Sequence, residues 1–307
     1  LPLYLNEQDP ILNQPNLANT EMAVNAQRID FSSQINGRAY RLFISVPSGP
    51  PPSTGHPVLY LIDGNLHFGI AVDTARIQAR WPDVRNPVIV GIGYPTDSVA
   101  EALTVRNKDL TMPTSAGWMA QGWRGQMPGS VDQFGGMDDY LRVIDEEIKP
   151  HVAAAVAIDT SDQTLMGHSL GGLTTLHALF RRTASFQQYV AISPSIWMTA
   201  GEVLTYESAF AGRVRSGQVR ARVLVSVGSL ESTRRQVAPG MPISQAVMDE
   251  MTEDTRMVPN AVELGTRLAA LQCDSFRAST VVHADDDHNT VPPAAIARGI
   301  RFAMRRP

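Results

Sequence analysis

The sequence predicts an α/β fold: a mostly parallel, twisted sheet with helices on both faces and an antiparallel hairpin at its amino-terminal edge. Three observations predict it. Residues 58–62 (VLYLI) and 88–92 (VIVGI) are short, continuous apolar runs, the pattern of strands buried on both faces. Such runs alternate along the chain with stretches of helical periodicity, which argues for parallel strands joined by crossover helices. Near the start, Asn36-Gly37 separates two alternating stretches, and both residues tolerate the positive φ that a tight hairpin turn requires.

The chain is long enough to bury a large core: 307 residues, 43% hydrophobic and 18% charged. A formal net charge of -4 and the absence of a long basic run give no reason to expect a nucleic-acid partner. The single cysteine, Cys273, excludes an intramolecular disulfide and any multi-cysteine metal site. No apolar run reaches membrane-spanning length. The chain begins at Leu1, so a leader was removed or the sequence trimmed. A cleaved signal peptide would place the protein in the periplasm or outside the cell, and otherwise it is expected in the cytoplasm.

Taken in order, residues 1–26 are rich in Asn, Pro and Gln and read as an extended arm, followed by a single domain over 27–307. Residues 27–32 and 39–46 are the strands of the edge hairpin, and 47–55 form a Pro/Gly/Ser loop. Between the first two apolar runs, 66–80 is a crossover helix. Residues 109–133 carry Pro113, Pro128 and several glycines, and read as a long irregular loop of functional interest. An amphipathic helix follows, marked by Phe134, Met137, Leu141, Ile144 and Ile148, with Pro150 near its end. Further strands are expected at 189–192, 223–227 and 280–283, further helices near 261–271 and 293–304, and an irregular insertion at 232–260.

The most informative stretch is Leu165-Met166-Gly167-His168-Ser169-Leu170-Gly171-Gly172. An apolar strand ends near Gly167, and a helix with Leu173, Leu176, Leu179 and Phe180 on its apolar side starts near Leu170. Gly-x-Ser-x-Gly in that context reads as the nucleophile elbow of the α/β-hydrolase fold, with Ser169 at its apex. Such a turn holds its central residue in a sparsely populated backbone region, at a cost of roughly 1–3 kcal/mol. The Leu170 N–H, at the start of the helix, is a candidate oxyanion donor.

A serine hydroxyl needs a base, and the base needs an orienting acid. In this fold the three follow in the order Ser, acid, His. His288 is the best-placed base: it lies five residues past a strand end and just before the last helix, with His283 its nearest rival. Glu231 follows the strand and turn at 223–230 and is the preferred acid; Glu202, Glu207 and Asp254 are alternatives. Asp285, Asp286 and Asp287 read as a solvated loop. The second oxyanion donor should come from the loop after residues 58–62, which points to the Asn65 N–H. The stretch from His283 to His288 has metal-binding residue types but no regular ligand spacing, so no metal is expected.

At this point the chain resembles the branch of the α/β-hydrolase superfamily that contains the enterochelin and salmochelin esterases. The matching stretches are residues 57–65 (PVLYLIDGN), 106–111 (RNKDLT), 167–172 (GHSLGG), 193–197 (SPSIW), 228–231 (GSLE) and 287–288 (DH), in the family's order. The resemblance implies Ser169 as nucleophile and His288 as base. Glu231 matches a common acid position, although some members work with a Ser–His dyad. The resemblance also implies that Trp197 and the 106–111 stretch lie near the cleft, and it implies no cofactor. Siderophore trilactones and small aryl or acyl esters are the substrates it suggests. Iron-bound catecholates are anionic, so arginines are sought near the cleft: Arg124, beside Trp123, and the Arg234-Arg235 pair are the candidates. The expectation is a serine esterase acting on a small-molecule ester. The alternatives are an acyltransferase on the same fold and a binding protein that has lost turnover.

Overall fold

The computed structural model describes residues 26–126, 130–237, 240 and 243–306. The expected arm at 1–26 therefore lies outside the described residues except for Ala26, which opens the first strand. Two antiparallel strands, β1 (Ala26–Ser32) and β2 (Ala39–Ser45), form the edge, with Gly37 at φ 70° in the turn between them. Then follow β3 (His56–Ile62), helix α1 (Gly64–Gln78), β4 (Val88–Gly93) and α2 (Val99–Asp109). Next come the short α3 (Ala116–Met119), α4 (Met137–Val143), α5 (Lys149–Ala155), β5 (Ile158–His168) and α6 (Leu170–Arg181). The rest is β6 (Gln188–Ile192), α7 (Glu207–Arg215), β7 (Ala221–Gly228), α8 (Gln245–Thr255), α9 (Met257–Ala269), β8 (Phe276–His283) and α10 (Val291–Met304).

The eight strands make one sheet in the order β1-β2-β4-β3-β5-β6-β7-β8. Pairing is antiparallel from β1 through β2 to β4 and parallel from β4 to β8, the mixed sheet of an α/β-hydrolase. The period-2 alternation of β3 feeds two cores. Val58, Tyr60 and Ile62 pack on one side against residues of α4 and α6, while Leu59 and Leu61 pack on the other against α1 and α10. Every side chain of β3 and β4 is buried, which is why neither strand carries an alternating pattern. Among the described residues no helix is long and apolar enough to cross a membrane.

Helix α2 answers to no element expected from the sequence: Ser98 Oγ accepts the Glu101 N–H, a capping signal readable as Ser-x-x-Glu. Two expectations are corrected. The helix expected to end near Pro150 starts at Met137 rather than Phe134 and runs on to Ala155. One wide turn at Ile144–Ile148, where Lys149 N–H reaches the Ile144 carbonyl, puts Pro150 in the first turn of α5, where its missing N–H does little harm. The insertion expected to be irregular contains α8 and the start of α9, with Ser244 Oγ accepting the Val247 N–H at the head of α8. In the loop at 109–133, α3 and two short 3-10 turns, Gly122–Gln126 and Val131–Gln133, supply local order.

Candidate active site

The site lies at the carboxyl ends of β3, β5, β6, β7 and β8. Ser169, between β5 and α6, has φ 62° and ψ -118°, a region that costs a non-glycine residue roughly 1–3 kcal/mol. The turn survives because its neighbours fix it: Ser169 N–H donates to the Ile192 carbonyl, and its own carbonyl accepts from Leu173 and Ser195. It also needs bare backbone. A Cβ on Gly167 would lie 2.3 Å from the Gly171 carbonyl oxygen, and one on Gly172 would lie 2.6 Å from that of Ile192.

His288 reaches this hydroxyl from the loop after β8. Its Nε2 is 3.0 Å from Ser169 Oγ, and its Nδ1 is 2.6 Å from Glu231 Oε2. The Glu231 side chain is fully buried, and its other oxygen accepts from Gly228 N–H at 2.7 Å and Ser193 Oγ at 2.5 Å. A buried carboxylate supplied with that many donors is held in one position. The three side chains expected to act together are brought together.

The loops carrying them are stitched to each other. Leu230 N–H donates to the Asp286 carbonyl, Asp285 N–H to Ser229 Oγ, and Asp287 Oδ1 accepts from Asn289 and Thr290 N–H. The aspartate run is thus no simple solvated loop. Asp287 is the acceptor of a local turn that folds the chain around His288, a role that Asp followed by Asn and Thr can signal. The other acids weighed from sequence are engaged elsewhere: Glu202 with Tyr206, Glu207 with Arg267, Asp254 with Trp123 and Arg124. His283 stays at the end of β8, and burial holds its imidazole below the ordinary range.

Beneath Ser169 and His288 lies a buried polar layer that sequence reasoning did not assign. The His168 ring sits 4.6 Å from that of His288 and 5.7 Å from that of His67. Burial first, and the neighbouring His288 second, hold His168 well below the ordinary imidazole range, so it remains neutral. Arg106, from the 106–111 stretch, donates to Asp63 Oδ1 at 2.9 Å and reaches the His168 carbonyl, joining the end of β3 to the elbow.

Leu170 opens α6, so no carbonyl of its own helix precedes its N–H. Asn65 stands likewise in the first turn of α1. Its side chain is turned to the end of β4, where Oδ1 accepts from Tyr94 N–H and Nδ2 donates to the Tyr94 and Thr96 carbonyls.

A pocket of about 300 Å³ opens over Ser169 and His288. Trp123 and Trp197 line one side, and Met248, Met251 and Met257 another. The three methionines, from α8 and α9, carried no legible signal. Trp118 stacks on Trp197 at 6.3 Å, and Arg124 lies over Trp118 at 4.7 Å. Arg124 is thereby placed behind the wall, paired with Asp254, rather than on the lining. Arg234 pairs with Asp249, away from the lining, whereas Arg235 lines the pocket and pairs with Asp287 at 3.4 Å.

With this geometry in view, comparison with known proteins is decisive. The sequence profile of the family described as "Putative esterase" matches residues 32–262. The chain belongs to that esterase family. It is 35% identical over 277 residues to ferri-bacillibactin esterase BesA of Bacillus subtilis, covering 89% of this chain and 87% of the relative. It is 32% identical to the siderophore enterobactin esterase of Emericella nidulans, covering 86% and 88%. Among solved structures, the BES protein of Bacillus cereus superposes with a TM-score of 0.77 at 29% identity, covering 93% of this chain and 97% of that one. The siderophore hydrolase EstA of Aspergillus nidulans gives 0.77 at 30%, covering 91% and 93%. This esterase is a serine hydrolase acting on carboxylic esters of small molecules.

Proposed function

We propose that Ser169 is the nucleophile, His288 the general base and Glu231 the orienting acid of a siderophore-type esterase. The observation that carries this reading is His288 spanning Ser169 Oγ at 3.0 Å and Glu231 Oε2 at 2.6 Å. Ser169 Oγ attacks the ester carbonyl carbon while its proton passes to His288 Nε2. The imidazolium that forms holds its Nδ1–H on Glu231, whose charge stabilises it. The N–H groups of Leu170 and Asn65 receive the oxyanion, each worth roughly 3–4 kcal/mol in comparable sites. Collapse of the tetrahedral intermediate expels the alcohol, which takes the proton from His288. Water, deprotonated by the same imidazole, then releases the acid.

The substrate reading rests on the pocket and the relatives together. Two tryptophans and three methionines favour a flat or apolar acyl group, and the relatives with matching length are named as siderophore esterases. Arg235 lines the pocket and would meet an anionic portion of such a ligand. The test is a panel of a nitrophenyl ester, an iron-free and a ferric tris-catechol trilactone, and a hydroxamate ester, run with wild type and Ser169→Ala. Turnover of at least one siderophore ester well above the nitrophenyl ester, lost in the variant, is expected. Full activity in Ser169→Ala would overturn the assignment of the nucleophile, and nitrophenyl turnover alone would overturn the siderophore reading.

A further inference from the structure

At the end of the sheet opposite Ser169, the amino-terminal ends of β5 to β8 border a second cleft of about 460 Å³. Five arginines line it: Arg85, Arg220, Arg222, Arg277 and Arg305. Few carboxylates answer them. Asp162 is taken by Arg85, Asp159 accepts from Ser161, and Asp274 is exposed at the lip. Among the described residues, the other four guanidiniums make no ion pair.

The arrangement is costly as it stands. Arg222 and Arg277 are directly paired across β7 and β8, and like charges placed opposite each other on a sheet repel. Arg222 is half-buried, held by the Phe302 carbonyl at 2.6 Å and by the Phe302 ring beneath it, so packing fixes it where it is. Burial pulls the Arg222 guanidinium below its ordinary range; burial, then Arg222 and Arg306, does the same to Arg85. A partly desolvated positive charge gains most from an anion brought against it. In a protein of net charge -4, a concave site with five arginines against three aspartates is a local departure from the overall charge.

We propose that this cleft binds a small multivalent anion, one that carries several anionic oxygens on a compact scaffold, at a site separate from the esterase centre. The planar forks of Arg222 and Arg277 each offer paired donors to phosphate or carboxylate oxygens. The volume suits a molecule of oligophosphate or tricarboxylate size.

Calorimetry on the full chain with tripolyphosphate and with citrate, at matched ionic strength, tests this. Saturable binding of at least one probe with a stoichiometry of one is expected, and which probe binds more tightly identifies phosphate or carboxylate as the native group. Arg277→Gln, at an exposed position, should weaken binding at least tenfold, and Arg222→Gln should do the same. Arg142→Gln, on α4, should leave binding unchanged, and ester turnover should persist in all three variants. Absence of saturable binding of either probe would overturn the proposal, as would binding indifferent to Arg277→Gln.

Discussion

Ser169, the proposed nucleophile, sits in a backbone conformation that its own side chain does not favour, and the surrounding hydrogen bonds hold it there. Removing the hydroxyl should therefore leave the fold intact while abolishing chemistry. Ser169→Ala is expected to lower kcat by about 10⁵-fold or more with an unchanged melting temperature. Glu231 gives a sharper test of geometry. Both of its oxygens accept hydrogen bonds, from His288 on one side and from Gly228 and Ser193 on the other. A glutamine there can satisfy His288 only by turning its NH₂ toward the Gly228 N–H, donor against donor. Glu231→Gln should lower kcat by about 10³–10⁴-fold and also reduce stability, whereas a Ser–His dyad would tolerate it. Steady-state kinetics beside a urea melt separates the two outcomes. The juxtaposition of Ser169 and His288 was legible because chain order and motif confine them; the contacts of Ser193 and His168 were not, because they arise only where strands meet.

Among the elements, α8 and the turn behind Ser169 differ in what holds them. The turn depends on missing Cβ atoms. Gly167→Ala places a methyl 2.3 Å from a backbone oxygen that cannot yield, so a loss larger than the ~1 kcal/mol typical of single substitutions is expected in chemical denaturation. Helix α8 is held from its two ends. Ser244 caps the first turn, and near the last Asp254 accepts from Trp123 Nε1 at 2.9 Å and pairs with Arg124. Asp254→Ala should release the Trp123 wall from the methionine wall. The expected result is a KM about tenfold higher for a bulky acyl ester, with kcat within about twofold, because the reacting groups are untouched. A fall in kcat at constant KM would instead tie Asp254 to the chemistry. Strands β3, β4, β6 and β7 were readable because burial on both faces leaves a continuous apolar run, whereas β5 (IDTSDQTLMGH) was readable only at its buried end beside the elbow. The amphipathic α8 was not: its residues 245–255 mix Gln, Asp, Glu and Thr with Met, and its few apolar positions face a pocket instead of a core. The helix start at Ser98 was legible in principle from its capping pattern, but Val99 and Leu103 face solvent while Arg106 and Asp109 are buried, so no apolar stripe marks its inner face.

For the molecule as a whole, burial of histidines sets how stability responds to acid. His56, His67, His168, His177 and His283 are all held below the ordinary imidazole range, with burial the largest cause in each. Their unfolded values lie near 6.5. As pH falls through that point the unfolded chain takes up protons that the folded chain refuses, so stability present above about 6.5 is lost toward the depressed folded values. Asp109 works with the opposite sign, since burial raises its carboxyl above the ordinary range. Its contribution is fully present below about 3.9, the unfolded value, and is lost as pH rises through the raised folded value. One carboxyl of that kind offsets little of five imidazoles. The urea midpoint should accordingly be lower at pH 5.5 than at pH 7.5. His67→Phe keeps an aromatic ring against His168 and removes one titrating group, so it should make the midpoint fall less over the same interval. A midpoint that held steady or rose from pH 7.5 to 5.5 would contradict the linkage, and an unchanged slope in His67→Phe would take His67 out of it while leaving the other four.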